Sequence, residues 1–360
     1  MHRAFLVVHR YLALTAAAIL FVVALSGTML VFEGAIDRAL NQDLWEVEPA
    51  SGRMSLDDLV TRVRGAYPDA IVSGVTPSPA DGRAAVVSVA GGTQVFMNPF
   101  TGKILGTRSA AERNAGLARR LHVFHETLMA GTVGGVIVGV ATVMALVLVL
   151  SGLVLWWPRK LWRVQAGASW KRVTFDLHHL LGVSAAVVLL LITASGVVIV
   201  YPALGELLTR LDRTPPAARP VQRAAEPGAR AMSLDSLVRV AGAALPGADV
   251  MNVSTPTDMT VPIAVALRFP EDRTPAGRSR VHLDRFRGTV LRVGNTREAE
   301  IGTRLNNLKR SIHTGDWFGA PTQVLWILAA LVMATQAVTG VLMWWNGRAR
   351  GQAAARAAGA

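Results

Sequence analysis

The chain has 360 residues, 51% hydrophobic and 17% charged, and its 37 Lys and Arg against 24 Asp and Glu leave a net charge of +13. Long apolar runs assign that charge to a membrane surface rather than to nucleic acid. The absence of cysteine excludes disulfides, iron–sulfur clusters, thiolate catalysis and covalent haem attachment through C-x-x-C-H.

A helix needs about 20 mostly apolar residues to cross a bilayer, and four segments qualify: Tyr11–Phe32, Val133–Trp157, Leu180–Tyr201 and Thr322–Trp345, all without Asp, Glu, Lys or Arg. The apolar core of the first exceeds that of a cleaved signal peptide. In chain order the sequence predicts a membrane helix within 1–33 and an extramembrane module over 34–118. A second helix, with histidines at its mouth, falls within 119–157, and a basic loop follows over 158–173. A third helix lies within 174–203, and a second module with a Pro/Arg-rich linker spans 204–305. A fourth helix within 306–346 and a tail over 347–360 complete the chain. The loop Pro158–Arg172 has five basic residues and no acid, which places it in the cytoplasm together with both termini. The two modules then lie outside. Each opens with MSLD and a helix-like stretch and ends in strand–turn–strand.

The halves repeat. Aligning Ser26–Gly27 with Ser195–Gly196 gives an offset of 169 that carries His9 onto His178. Aligning SGLVLWW with TGVLMWW gives an offset of 188 that carries His125 onto His313. By the predicted topology, His9 and His178 lie near the cytoplasmic face and His125 and His313 near the opposite face. Two imidazoles from two helices suit the axial positions of a haem iron, so the pattern predicts two non-covalent b-type haems. Small residues at +4, +7 and +8 after His9 (Ala13, Ala16, Ala17) and after His178 (Gly182, Ala185, Ala186) leave room for a porphyrin or for close helix packing. His122 and His179 are further candidates beside these sites; His122 suits a propionate contact, a proton shuttle or a substrate contact. His2 and His282 follow no pattern and read as surface residues. Arg10, Lys171, Arg172, Arg119, Arg120 and Arg310 are candidate propionate partners that also suit interfacial anchoring. Gly131, Gly134, Gly135 and the GDWFGAP segment mark expected breaks before the second and fourth helices. No G-x-G-x-x-G follows a strand, so the donor is external.

The motifs HRYLAL, MSLDDLV with VFMNPFTGKILG, RRLHVFHETL, SGLVLWWPR, FDLHHLLG and TGVLMWW together resemble the PepSY-associated transmembrane family. That resemblance implies a polytopic α-helical membrane protein with two α+β PepSY-like modules in the bacterial inner membrane. The family includes iron-regulated membrane proteins and FoxB-type siderophore reductases. It therefore implies electron transfer from a cytoplasmic reductase or membrane quinol to a ferric siderophore. Alternatives are a non-enzymatic PepSY-bearing regulator or peptidase-inhibitor-like protein, and a metal-transport accessory.

Overall fold

Helix α1 (His2–Leu30), α7 (Gly131–Trp156), α8 (Trp170–Val200) and α12 (Ala320–Ala358) are long and apolar enough to cross a membrane. The computed structural model describes residues 2–78, 80, 82–158, 160–214, 218, 220–222, 224 and 226–358. Arg159 of the basic loop and residues 215–217, 219, 223 and 225 of the Pro/Arg-rich linker lie outside the described residues. Between α1 and α7 come α2 (Glu33–Leu40), α3 (Gln42–Trp45), α4 (Leu56–Ala66), β1 (Val72–Thr76), β2 (Ala85–Val89), β3 (Gln94–Met97), β4 (Ile104–Arg108), α5 (Ala110–Ala115) and α6 (Leu117–Thr127). Between α8 and α12 come α9 (Pro202–Thr209), α10 (Leu234–Ala244), β5 (Asp249–Ser254), β6 (Ile263–Arg268), β7 (Ser279–Leu283), β8 (Val290–Gly294) and α11 (Ile301–Thr314). The chain divides into a helical unit (1–33, 120–207, 309–360) and a sheet unit (34–119, 208–308).

The helical unit is a four-helix bundle in which α1 and α8 each pack against both α7 and α12. Along α7 the exposed residues Val133, Val136, Val140, Val143, Val147, Leu150 and Val154 recur at helical spacing. Such an apolar stripe is untenable in water and natural against lipid tails. The buried face carries Gly134, Gly139, Ala141, Ala145 and Ser151, small residues that let helices approach in a membrane. Ala16 and Leu20 of α1 pack on Ala141 and Ala145, and Ala185 and Leu189 of α8 pack on Ala329 of α12.

The sheet unit joins both modules in one antiparallel eight-stranded sheet, ordered β4-β3-β2-β1-β5-β6-β7-β8. The β1–β5 seam pairs Gly74 with Ser254 and Val75 with Val253. A Cβ at Gly74 would lie 3.0 Å from the Val253 carbonyl oxygen, so a side chain there would crowd the seam. Leu59, Val60 and Val63 of α4 cover one half of the sheet, and Leu237 and Ala241 of α10 cover the other. On the opposite face Leu44 and Trp45 of α3 cover Val86 and Phe96. This explains why β2 is buried on both sides.

The MSLD repeats supply the clasp between the modules. Ser55 and Ser233 cap the N-termini of α4 and α10. Asp57 accepts hydrogen bonds from the backbone N–H groups of Leu234 and Asp235, at 2.8 and 3.0 Å. Asp235 reciprocates with the N–H groups of Leu56 and Asp57, both at 3.0 Å. Each carboxylate thus satisfies orphan donors of the other module's helix. Burial pushes Asp235 upward, but its hydrogen bonds with Asp57 and the Leu56 N–H outweigh that and hold it below its ordinary value. This contribution is present above the unfolded carboxylate pKa of about 3.9 and is lost as pH falls through the lower folded value. Asp57→Ala should destabilise the sheet unit by about 1–2 kcal/mol and accelerate amide exchange at Leu234 and Asp235. Unchanged exchange there would remove the clasp from the account.

Candidate functional site

Four histidines meet four Ser/Thr–Gly steps, each on a neighbouring transmembrane helix. His9 Nδ1 lies 2.8 Å from Ser151 Oγ, and His178 Nδ1 lies 2.8 Å from Thr339 Oγ1. His125 Nδ1 lies 3.1 Å from Ser26 Oγ and 3.0 Å from the Val23 carbonyl. His313 Nδ1 lies 2.9 Å from the Ile192 carbonyl. Val23 and Ile192 are repeat equivalents, as are Ser151 and Thr339. At Gly27 and Gly196 the lack of a side chain opens space for the ring, whereas Gly152 and Gly340 sit at ordinary contact distance. A Cβ would come within 3.1 Å of His125 Cε1 at Gly27 and of His313 Cε1 at Gly196. At Gly152 and Gly340 it would lie 3.5 and 3.6 Å from the Cε1 atoms of His9 and His178.

These contacts select a tautomer. A carbonyl only accepts, so Nδ1 of His125 and His313 carries the proton. Ser151 and Thr339 donate to Val147 O and Thr335 O at 2.7 and 2.8 Å, which leaves their lone pairs to accept from His9 and His178. All four Nε2 atoms therefore present a lone pair, the form in which imidazole ligates. Burial, with His313 adding to it, pushes His125 down to about 4, and burial also lowers His313. Both stay neutral near pH 7.

The breaks before α7 and α12 make this possible. Leu128 and Met129 adopt left-handed backbone (φ +50° and +60°) between α6 and α7. A Cβ at Gly134 would fall 1.7 Å from the Thr127 carbonyl oxygen, so glycine admits the turn. Between α11 and α12, Gly315 and Gly319 take positive φ around a short turn, Asp316–Phe318. His125 and His313 thereby sit on separate helices that reach the C-terminal ends of the α1 and α8 spans.

The two pairs occupy opposite ends of the bundle. The His125 and His313 ring centroids are 6.3 Å apart. One metal between two imidazole nitrogens, at about 2.0 Å from each, needs a centroid separation of about 6 Å. At the other end, His9 and His178 line one largely apolar cavity of about 390 Å³, within the range of cofactor pockets. Ala13, Ala17 and Gly182 line it too, whereas Ala16 and Ala185 pack against α7 and α12 instead. Ala186 is buried outside the lining. Among the described residues, no cluster of three or more His, Cys, Asp or Glu is arranged to hold a metal ion. A pair of imidazoles suits a metal whose equatorial ligands come from a porphyrin. At each end the paired imidazoles are a donor set that haem iron accepts, and at the His9–His178 end a cavity adjoins them.

The remaining candidates divide. Arg10 and His179, equivalent in the repeat, both line the His9–His178 cavity. His179 Nδ1 bonds the Phe175 carbonyl at 2.8 Å, within its own helix. Arg172 instead pairs with buried Asp176 at 2.9 Å, and Lys171 lies over the Trp170 ring. Arg119, Arg120 and Arg310 are exposed. His122 holds a carboxylate on each ring nitrogen, Glu33 on Nδ1 and Glu126 on Nε2, both at 3.1 Å. His2, read from sequence as a surface residue, lines the same cavity; its place seven residues, about two helical turns, before His9 on the same face was the available signal. His282 sits on β7 opposite Arg292. Gln336, missed in the sequence, reaches from α12 to donate to the His178 carbonyl at 2.9 Å.

Ser151→Ala and Thr339→Val should each weaken iron–porphyrin affinity by about 10–100-fold, measured by titrating cofactor-free protein with haemin. Affinities equal to wild type would show that the hydroxyls do not orient the rings.

A search of curated proteins finds no match. A family model described as the PepSY-associated TM region matches residues 6–346, which span all four transmembrane helices and the sheet unit, and the chain belongs to that family.

Proposed function

We propose that this chain is a di-haem b electron-transfer protein of the bacterial inner membrane that reduces ferric siderophore on the periplasmic side. The observation that carries the reading is the arrangement of four histidines in two pairs at opposite ends of the bundle, each with Nδ1 bonded to a neighbouring helix. His9 and His178 would hold one haem, and His125 and His313 the other. When bound, haem supplies a one-electron centre at each end of the bundle. The residues around it do the rest. The Nδ1 bonds fix ring orientation, and apolar walls including Leu20, Leu148 and Met333 exclude water from the His9–His178 site. Arg10 at that cavity suits an anionic propionate.

A flavoprotein reductase or membrane quinol would supply electrons from the cytoplasmic side. Reduction of the substrate iron to Fe(II) weakens its hold by hard oxygen donors and releases it. The basic loop, with Lys160, Arg163, Lys171 and Arg172, supports a cytoplasmic location for that loop and both termini. The paired imidazoles, with no larger ligand cluster among the described residues, favour this reading over a metal-transport accessory. A non-enzymatic PepSY-bearing regulator would need no cofactor.

Reduced-minus-oxidised visible spectra of detergent-purified protein from haem-replete cells should show low-spin bands and about two haems per chain. His9→Ala and His313→Ala should each remove one. A colourless protein would overturn the proposal and favour the regulator. Because the chain has no cysteine, single-cysteine reporters test the topology cleanly. A cysteine at Gln165 should resist a membrane-impermeant thiol reagent in intact cells, and one at Thr257 should react.

A further inference from the structure

The repeat is closely matched at the four candidate ligands and departs from itself at one place beside the His125–His313 site. His122 corresponds to Arg310, Glu126 to Thr314, and Glu33 to Pro202. Only the first copy therefore builds a Glu–His–Glu array, and the structure assembles it: Glu33 on Nδ1 and Glu126 on Nε2, each at 3.1 Å. The imidazole stands one helical turn before His125 on the same face of α6. It is partly accessible, with side-chain exposure of 18%, while Glu126 is 49% exposed.

With both ring nitrogens facing carboxylates, neither is disposed to ligate iron, and both are disposed to carry protons. We infer that His122 is the proton donor for substrate release at the His125–His313 end. This rests on the ferric-siderophore reading. The step balances. A haem held by His125 and His313 would supply the one electron that takes substrate Fe(III) to Fe(II). The bond between iron and a hydroxamate or catecholate oxygen breaks, and that oxygen takes the proton from His122 Nε2 by way of half-exposed Glu126. Neutral imidazole is then reprotonated from water. Without the proton the freed oxygen stays anionic and recaptures the iron.

The groups bearing on His122 are Glu33 at the start of α2, Glu126 and His125 on its own helix, and Arg310 on α11. The hydrogen bond to Glu33 is the largest influence and raises its pKa. Burial works against it, the charges of Glu126 and Glu33 add to it, and Arg310 opposes it. The net shift is upward, which favours the acid form, and that form is lost as pH rises through the raised value.

The test uses the full detergent-solubilised chain, with haem counted first. Reduced protein is oxidised by two acceptors between about pH 6 and 9: ferricyanide, which needs only an electron, and a ferric trihydroxamate, which needs a proton as well. Wild type should lose trihydroxamate rate on the alkaline side while ferricyanide rate stays flat. His122→Gln should be slower with trihydroxamate at low pH by about 10²-fold, without pH dependence, and should keep its ferricyanide rate and haem content. Glu33→Gln should shift the inflection to lower pH and keep the plateau. Independently of haem, the histidine resonance that His122→Gln removes from ¹³C-histidine-labelled protein should titrate above its ordinary value and fall in Glu33→Gln. A wild-type pH profile in His122→Gln, or equal slowing with both acceptors, would overturn the inference. If haem is absent, the electron-transfer reading fails first and the inference falls with it.

Discussion

The bundle depends on one kind of contact made four times: a histidine ring whose Nδ1 is held by a hydroxyl or carbonyl of a neighbouring helix. An isolated imidazole buried among apolar helices would leave both nitrogens unsatisfied, at about 1–3 kcal/mol for each lost partner. Here a hydroxyl or carbonyl of the next helix satisfies Nδ1, and at His125 and His313 the adjacent Gly27 and Gly196 admit the ring edge. The Ser/Thr–Gly dipeptide is therefore a receptor for a histidine rather than a generic packing step. Because the donor and the receptor lie on different helices, each contact also ties α1 or α8 to a neighbour, and orientation of the ring and cohesion of the bundle share one set of atoms.

The sheet unit applies the same economy. Two modules that would each expose a helix N-terminus and a sheet edge exchange caps through Asp57 and Asp235 and join edges through β1 and β5. The sheet then has one edge at β4 and one at β8 instead of four. Duplication makes both arrangements possible, since each half carries the complement of what the other half lacks.

Much of this was legible in the sequence. Hydropathy alone located the four spans, and the repeat offsets selected His9, His178, His125 and His313 from the chain's 8 histidines. Other features were hidden for physical reasons. β1 and β5 read VSGVT and DVMNVS, too small and polar to show alternation, because their stability comes from each other and from the covering helices. The MSLD repeat signalled duplication, yet nothing local shows that each Asp caps the other module's helix, about 178 residues away in sequence. The role of the Ser/Thr–Gly steps was equally non-local: they fixed the alignment, but the partner of each is a histidine on another helix. Gln336 escaped notice because its partner is a backbone carbonyl, which leaves no trace in residue type.

A duplicated scaffold lets divergence be read against an internal reference. Where the copies agree, as at the four histidines and the groups that hold Nδ1, the requirement is common to both ends of the bundle. Where they differ, the requirement belongs to one end. At the His9–His178 end Gln336 stands against Leu148, an amide that braces the backbone at His178, and His179 stands against Arg10. At the His125–His313 end the difference is a set of ionisable groups, and Arg310 stands where its counterpart is His122. A fixed cation and a titratable one at equivalent positions are not alternatives for the same task, because only the second can give up a proton. On the proposed function, electron entry needs no proton, whereas release of iron from anionic oxygen donors is helped by protonating those donors. Of the two histidines that face an arginine in the repeat, His122 is flanked by two carboxylates, whereas His179 bonds a carbonyl of its own helix.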